Sequence, residues 1–249
     1  MSLLYGLMQK HSCRDIAELI AVREHYSQML FDSTQMDEKK SQLETRLSTV
    51  SGVVNILADK LHSSRETASE SFAAHIQEMI REMELPYAVF EVALVDAPLS
   101  ASGRDSVVFR FSASGKNPVE VAKCASGGEM SRIMLALKAM MSRYAKMPTM
   151  IFDEIDTGVS GSVADKMGTV ICGMGEYMQV FAITHLPQVA AKGTAHYLVS
   201  KDINPSTGVA ISKIERLSDE QRVLELARML SGSSLTNEAV ANAKSLLGN

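Results

Sequence analysis

The sequence predicts an α/β domain carrying an N-terminal helical coiled-coil arm. Two changes of texture carry this. Residues 13–83 are polar and show almost no strand-like alternation, whereas β-rich runs appear at once after Pro86. Beyond residue 127, helical and strand-like segments alternate. Such alternation implies βαβ units, with helices laid over a parallel sheet. The expected division is therefore an arm over 1–85 and an α/β lobe over 86–249.

In the arm, Leu43, Leu47, Val50, Val54, Leu57 and Leu61 are spaced alternately four and three residues apart. That is a seam at coiled-coil spacing. It continues less regularly through Ala68, Phe72, Ile76, Met79 and Met83. A helix from about 35 to 83 would run roughly 70 Å at about 1.5 Å per residue, far beyond an ordinary globular helix. A preceding helix, 14–31, is expected to lie antiparallel to it across Phe31-Asp32-Ser33-Thr34. A small helical bundle is the alternative, because Gly52 and the Ser-rich stretches weaken the coil signal. This sequence offers no partner strand of comparable length, so a coiled coil here would take its partner from elsewhere.

In the lobe, FEVALV (90–95) and SVVFRFSA (106–113) read as an antiparallel strand pair. A helix follows at 127–145, a strand at 148–153, a helix at 160–175, a strand at 179–184 and a short helix at 187–192. Strands at 196–201 and 208–216 and helices at 219–230 and 236–247 complete the order. MIF and VFAI are short unbroken apolar runs, as expected for strands buried on both faces.

Bulk properties bound the function. A chain of 249 residues with 46% hydrophobic residues can build one sizeable core, or one core plus an extended arm. The net charge of −4 leaves no broad basic footprint for nucleic acid. This excludes a simple DNA-groove reader and leaves room for contact through a few basic residues. Cys13, Cys124 and Cys172 are far apart and form no CxxC or Cys/His cluster. They read as reduced thiols of a cytosolic protein, not as a disulfide frame or zinc site. No apolar run approaches the roughly 20 residues of a membrane span, and no signal-peptide pattern is evident.

Three stretches carry chemistry. In PTMIFDEID (148–156) an apolar strand ends in Asp153 and Glu154. Ligands of open α/β sheets bind beyond the carboxyl ends of strands. One carboxylate there suits Mg²⁺, directly or through water, and the next could polarise an attacking water. The competing reading is an exposed acidic loop. In QVFAITH (179–185) a second strand ends in Thr184-His185, one βαβ step later, so the two strand ends should be neighbours. An imidazole there could contact a γ-phosphate; a capping Thr beside a solvated His is the plainer reading. In CASGGEMSR (124–132), Ser126 is an ordinary helix N-cap. Gly127 and Gly128 are not ordinary, since Gly weakens a helix start relative to Ala. Their use would be to let backbone N–H groups approach an anion at the positive helix end. A plain cap on a flexible loop is the alternative. The helix that follows puts Ile133, Leu137, Met140 and Tyr144 on one stripe and Arg132, Lys138 and Arg143 on a basic side. The phosphate-loop motif GxxxxGK[ST] is missing: Gly115-Lys116 is followed by Asn117 and lacks the upstream Gly.

These pieces, in this order, resemble the C-terminal lobe of an SMC-like, ABC-type ATPase head, a P-loop NTPase fold that is incomplete here. Ala125-Ser126-Gly127-Gly128-Glu129 looks like the signature motif, and Met150 to Glu154 looks like Walker B. Residues 156–161 sit where a D-loop belongs, and His185 sits where the switch histidine belongs. ASGGEMSRIMLALK, IFDEIDTGVSG, ITHLPQVAA and ERLSDEQRVLELARMLSG (215–232) are similar to the bacterial DNA-repair members of that family. The likeness is good over about 86–247 and looser over 1–85, as a returning arm. Ala125 stands where ABC proteins often have Leu, Glu129 replaces the common Gln, and Ser160 takes the place of the usual D-loop aspartate.

The resemblance implies two heads dimerised head to tail around two ATP molecules. Ser126, Gly127 and Gly128, with Glu129 beside them, would contact ATP held by the partner head. Asp153 would bind Mg²⁺ through water, Glu154 would act as general base, and His185 would sense the γ-phosphate. The last three would serve ATP gripped by an N-terminal lobe of the same polypeptide, which makes this chain the expected C-terminal part of a longer protein. The implied function is ATP-driven dimerisation and DNA bridging in double-strand break repair and recombination. The implied location is cytoplasmic and nucleoid-associated, and the chain alone is expected to be inactive. Other readings are the head lobe of another SMC-like or ABC protein, or a non-enzymatic coiled-coil assembly module.

Overall fold

A computed structural model describes residues 2–123, 126–203, 210–232 and 235–248. The elements run α1 (Ser2–Lys10), α2 (Ile16–Glu82), β1 (Val89–Ser100), β2 (Gly103–Ser112), β3 (Val119–Glu120), a 3-10 turn (Val121–Lys123) and α3 (Gly127–Ala145). Then come β4 (Thr149–Asp153), α4 (Gly161–Met174), β5 (Gln179–Ile183), α5 (Pro187–Lys192), β6 (Tyr197–Ile203), β7 (Ala210–Arg216), α6 (Asp219–Ser231) and α7 (Asn237–Leu246). The expected order is present. The additions are α1, the short β3 on the edge of β2, and the greater length of β1 and β2, whose hairpin turn is only Ala101-Ser102. Residues 208 and 209 of the expected strand lie outside the described residues.

The arm differs from expectation in one respect. The predicted break at Phe31-Asp32-Ser33-Thr34 does not occur, and α2 is one helix of 67 residues. No Gly or Pro lies in residues 31–34, and polar side chains there find partners inside the helix. Gln28 Nε2 donates to Asp32 Oδ1 at 2.9 Å, and Thr34 Oγ1 donates to the Leu30 carbonyl at 2.8 Å. Both bonds span one helical turn and remove the reason for a turn. The helix ends where Glu84 takes φ +65° and Pro86 follows. Among the described residues no helix is long and apolar enough to cross a membrane.

The chain divides into two compact units, Met1–Ser63 with Pro98–Arg104, and Ser64–Ala97 with Asp105–Asn249. In the first, the seam is bare: Leu43, Leu47, Val50, Val54, Leu57 and Leu61 are all exposed. The tip of the β1–β2 hairpin belongs to this unit, and Arg104 pairs with Asp59 of α2.

The second unit holds the main core. Ile76, Ile80 and Met83, from the last turns of α2, are fully buried with Phe90, Phe111, Ile133, Leu135, Phe152 and Met167. Phe109 lies 6.0 Å from Phe72 and 5.7 Å from Phe90, ring centre to ring centre. The seam of α2 therefore becomes a core stripe where it enters this unit. Arg65 and the buried Asp105 form an ion pair at 3.3 Å.

Strands β4 and β5 are parallel, in a register running from Thr149 opposite Gln179 to Asp153 opposite Ile183. The expectation that both faces of these strands are buried is not met. Met150 and Phe152 are buried, while Ile151, Phe181 and Ile183 are exposed on the other side. Burial on both faces needs a second covering layer, and the described residues supply only one. Nor do β6 and β7 extend a parallel sheet: they pair antiparallel as a ribbon from Tyr197 opposite Arg216 to Ile203 opposite Ala210. A smaller cluster of Ala191, Leu226, Ala227, Ala239 and Ala243 joins α5, α6 and α7.

Candidate functional site at the ends of β4 and β5

Three segments build the site: the start of α3, the loop after β4 and the turn after β5. Helix α3 begins as expected. Ser126 is its N-cap, and its Oγ accepts from the Glu129 amide at 3.3 Å. Gly127 and Gly128, at the helix start, differ in kind. A β-carbon on Gly127 would meet nothing within 4 Å, whereas one on Gly128 would stand 2.7 Å from the Gly158 carbonyl oxygen. Gly128 therefore serves packing within this chain, while Gly127 opens toward solvent. Cys124 and Ala125 lie outside the described residues.

The buried face of α3 is broader than the predicted stripe. Ile133, Leu135, Ala136, Ala139 and Met140 are buried, and Tyr144 is exposed. Neither is its basic side simply solvated. Lys138 Nζ sits 5.4 Å over the Phe152 ring, and Arg143 lies 5.5 Å over Tyr177. Arg132 reaches back with Nε to the Gly128 carbonyl at 3.0 Å and with Nη1 to the Met83 carbonyl at 3.2 Å. Burial lowers its pKa, opposed by Glu129 and Glu84.

Asp153 ends β4 and Glu154 follows it, and both are exposed. The Glu154 amide donates to the Ile183 carbonyl at 3.1 Å, which ties this loop to the end of β5. Glu154 has φ +47°, a left-handed conformation that is costly for a residue with a β-carbon. The loop then closes on itself. Thr157 Oγ1 donates to the Glu154 carbonyl at 2.7 Å, and the Val159 amide donates to the Asp156 carbonyl at 3.3 Å. Ser131 Oγ of α3 reaches the Thr157 carbonyl at 3.2 Å. Ser160, at the N-cap of α4, makes no side-chain capping bond.

His185 follows β5 and is exposed. The parallel register brings its turn beside Glu154, so Asp153, Glu154 and His185 share the carboxyl ends of neighbouring strands. Two further residues shape this end. Asp156 is only 1% exposed. Its Oδ2 accepts from Thr184 Oγ1, and its Oδ1 has no hydrogen-bond partner among the described residues. The sequence had shown Asp156 as the first residue of the D-loop-like segment, with no partner named for it, and Thr184 as a possible cap. Their pairing depends on strand adjacency.

Among the described residues, no group of three or more His, Cys, Asp or Glu stands close enough to hold a metal ion. An exposed strand-end carboxylate still suits a hydrated Mg²⁺. That ion commonly takes one or two protein carboxylates and completes its octahedron with water and phosphate oxygens. Asp153 is the accessible carboxylate at the strand end.

Comparison with known proteins decides the family. The chain is 36% identical to the DNA repair protein RecN of Vibrio cholerae over 230 residues, 90% of this chain and 41% of that protein. It is 35% identical to the DNA repair protein RecN of Xylella fastidiosa over 248 residues, 98% of this chain and 44% of that protein. The chain belongs to the RecN family. It spans less than half the length of these curated relatives. No protein-family model matches it. Among solved structures, it is similar to the Smc head domain with a coiled coil and joint from Pyrococcus yayanosii. That likeness has a TM-score of 0.59 at 18% identity and covers 92% of this chain and 43% of that one. The fold is thus that of an SMC head with coiled coil.

Proposed function

We propose that this chain is the C-terminal ATPase-head lobe, with its coiled-coil arm, of an SMC-like protein of DNA double-strand break repair and recombination. Residues 1–85 form the arm segment and 86–249 the lobe. Two heads would close around ATP and so drive dimerisation and DNA bridging. The observation that carries this reading is the contrast between the two glycines: Gly128 is occupied by the chain's own packing, while Gly127 faces open space at the exposed start of α3. A group from outside can approach there, at a helix N-terminus whose dipole favours an anion.

In this reading Ser126, Gly127 and Gly128, with Glu129 beside them, contact the γ-phosphate of ATP held by the partner head. Asp153 would hold Mg²⁺, Glu154 would take a proton from the attacking water, and His185 would contact the γ-phosphate. Magnesium would supply charge neutralisation of the phosphates. The upstream lobe of the same polypeptide would supply the phosphate loop and cover Ile151, Phe181 and Ile183. The lobe alone would neither grip nor hydrolyse ATP, and the protein would act in the cytoplasm at the nucleoid.

The test is ATP turnover by this chain joined to the upstream half, compared with Glu154→Gln. Turnover that the Gln variant loses, while ATP-bound dimers live longer, supports the reading. Turnover indifferent to Glu154 sinks it and favours a non-enzymatic coiled-coil scaffold. Tight stoichiometric ATP binding by the present chain alone would contradict the division of the site between lobes.

A further inference from the structure

His185 sits on an exposed turn, and among the described residues its imidazole has no hydrogen-bond partner. Its place is therefore set by backbone on either side. On one side stands Thr184, whose Oγ1 donates to the buried Asp156 Oδ2. On the other stands Leu186, whose amide donates to the same Thr184 Oγ1 at 2.9 Å. A hydroxyl has one proton to give and two lone pairs to accept with. Asp156 thus directs the Thr184 proton toward itself and leaves a lone pair for the Leu186 amide. The peptide units that bracket His185 are closed into a ring by this one hydroxyl.

Asp156 is in turn part of the loop that carries Glu154. The Glu154 amide bonds the Ile183 carbonyl at 3.1 Å, and the Val159 amide bonds the Asp156 carbonyl. Movement of the Glu154 loop and movement of the His185 turn are thereby linked through a buried hydrogen bond.

We propose that Asp156 and Thr184 are positioning residues that hold His185 in register with Glu154. The proposal rests on the reading of His185 as a phosphate contact, and the experiment separates the two. The first measurement uses this chain by NMR, with amide exchange of Leu186 and the ring signals of His185 as readouts. Thr184→Val keeps the shape and removes the hydroxyl. It should speed Leu186 exchange about tenfold relative to core amides such as Phe152 and move the His185 ring signals, and Thr184→Ser should restore both. Asp156→Asn keeps the size and weakens the acceptor, so it should speed Leu186 exchange about threefold. It also serves as the probe if the Val variant does not fold. Unchanged Leu186 exchange and His185 signals in a folded Val or Asn variant would overturn the proposal.

The second measurement uses the chain joined to its upstream half. There Thr184→Val should lower kcat about tenfold while KM stays within about twofold, again with rescue by Ser. If His185→Ala leaves turnover intact, the phosphate reading fails and the functional half of the proposal falls with it. The NMR result would still decide whether the pair places the turn.

Discussion

A β-carbon on Gly128 would stand 2.7 Å from the carbonyl oxygen of Gly158, and one on Gly158 would stand 3.2 Å from the Gly128 amide nitrogen. Gly158 also has φ +79°, which favours glycine. The start of α3 and the loop after β4 are thus locked backbone to backbone. Gly128→Ala should cost about 1–3 kcal/mol, as overpacking does, and lower the melting temperature. Gly127→Ala meets open space and should melt within about 2 degrees of the parent, while impairing ATP-dependent dimerisation of the protein joined to its upstream half. Melting curves of the two variants check the contrast. Equal losses would show that the lock is not what distinguishes them.

Helix α2 should show a steep gradient of stability along its length. Leu47 is 67% exposed, while Ile76, Ile80 and Met83 are fully buried. Hydrogen exchange should be fast around residues 40–57 and slow around 76–83. Ile80→Ala should cost about 2–5 kcal/mol, whereas Leu47→Ala should stay within about 0.5 kcal/mol. Uniform protection along the helix would mean that the seam is covered in solution.

Acid should weaken the fold through His196. Burial, reinforced by Arg222 and opposed by Glu225, lowers its pKa below the usual imidazole value of 6.5, and its buried Nδ1 has no hydrogen-bond partner among the described residues. The folded chain therefore releases this proton more readily than the unfolded chain. Between the two pKa values the unfolded state holds more protons, so stability falls as pH drops below about 6.5. The fall continues until the folded imidazole itself protonates. His196→Gln should lose less melting temperature between about pH 7.5 and pH 5.5. A parallel loss in parent and variant would show that other groups carry the acid sensitivity.

Arg222 holds the end of α5. Its Nη2 donates to the Ala191 carbonyl at 2.7 Å, to the Ala190 carbonyl at 3.5 Å and to the Gly193 carbonyl. These carbonyls lie at the C-terminal end of α5, where a helix leaves carbonyls short of partners; the Ala190 carbonyl also accepts from the Gly193 amide at 3.4 Å. Arg222→Met keeps the aliphatic stem and loses the donors. It should cost about 1.5–3 kcal/mol in a urea melt, with exchange of the α5 amides quickening first. A change confined to α7 would contradict this placement.

Much of this was legible in the sequence. Ser126 before two glycines marked the start of α3, apolar runs ending in Asp153-Glu154 and Thr184-His185 marked β4 and β5, and Pro86 marked the end of the arm. Local rules suffice for these because caps, prolines and strand ends act within a few residues. The break at residues 31–34 was misread for the same reason. Asp32, Ser33 and Thr34 read alike as a turn or as a helix surface, and side-chain bonds within the helix chose the second. Tyr144 fitted the helical stripe yet is 80% exposed, because a period places a residue on a face without saying how far the neighbouring layer extends.

The sequence by itself determined the order and type of the elements and the local chemistry at three strand and helix ends. The tertiary structure decided which of these ends meet. It paired Asp153 with Ile183 and so set Glu154 beside His185. It gave Gly128 a partner in Gly158 and left Gly127 open, and it buried Asp156 against Thr184. The physical reason is range. Propensity and capping are written in neighbouring residues, whereas close backbone approach and buried pairing join residues about 30 positions apart, whose meeting depends on how strands and helices pack.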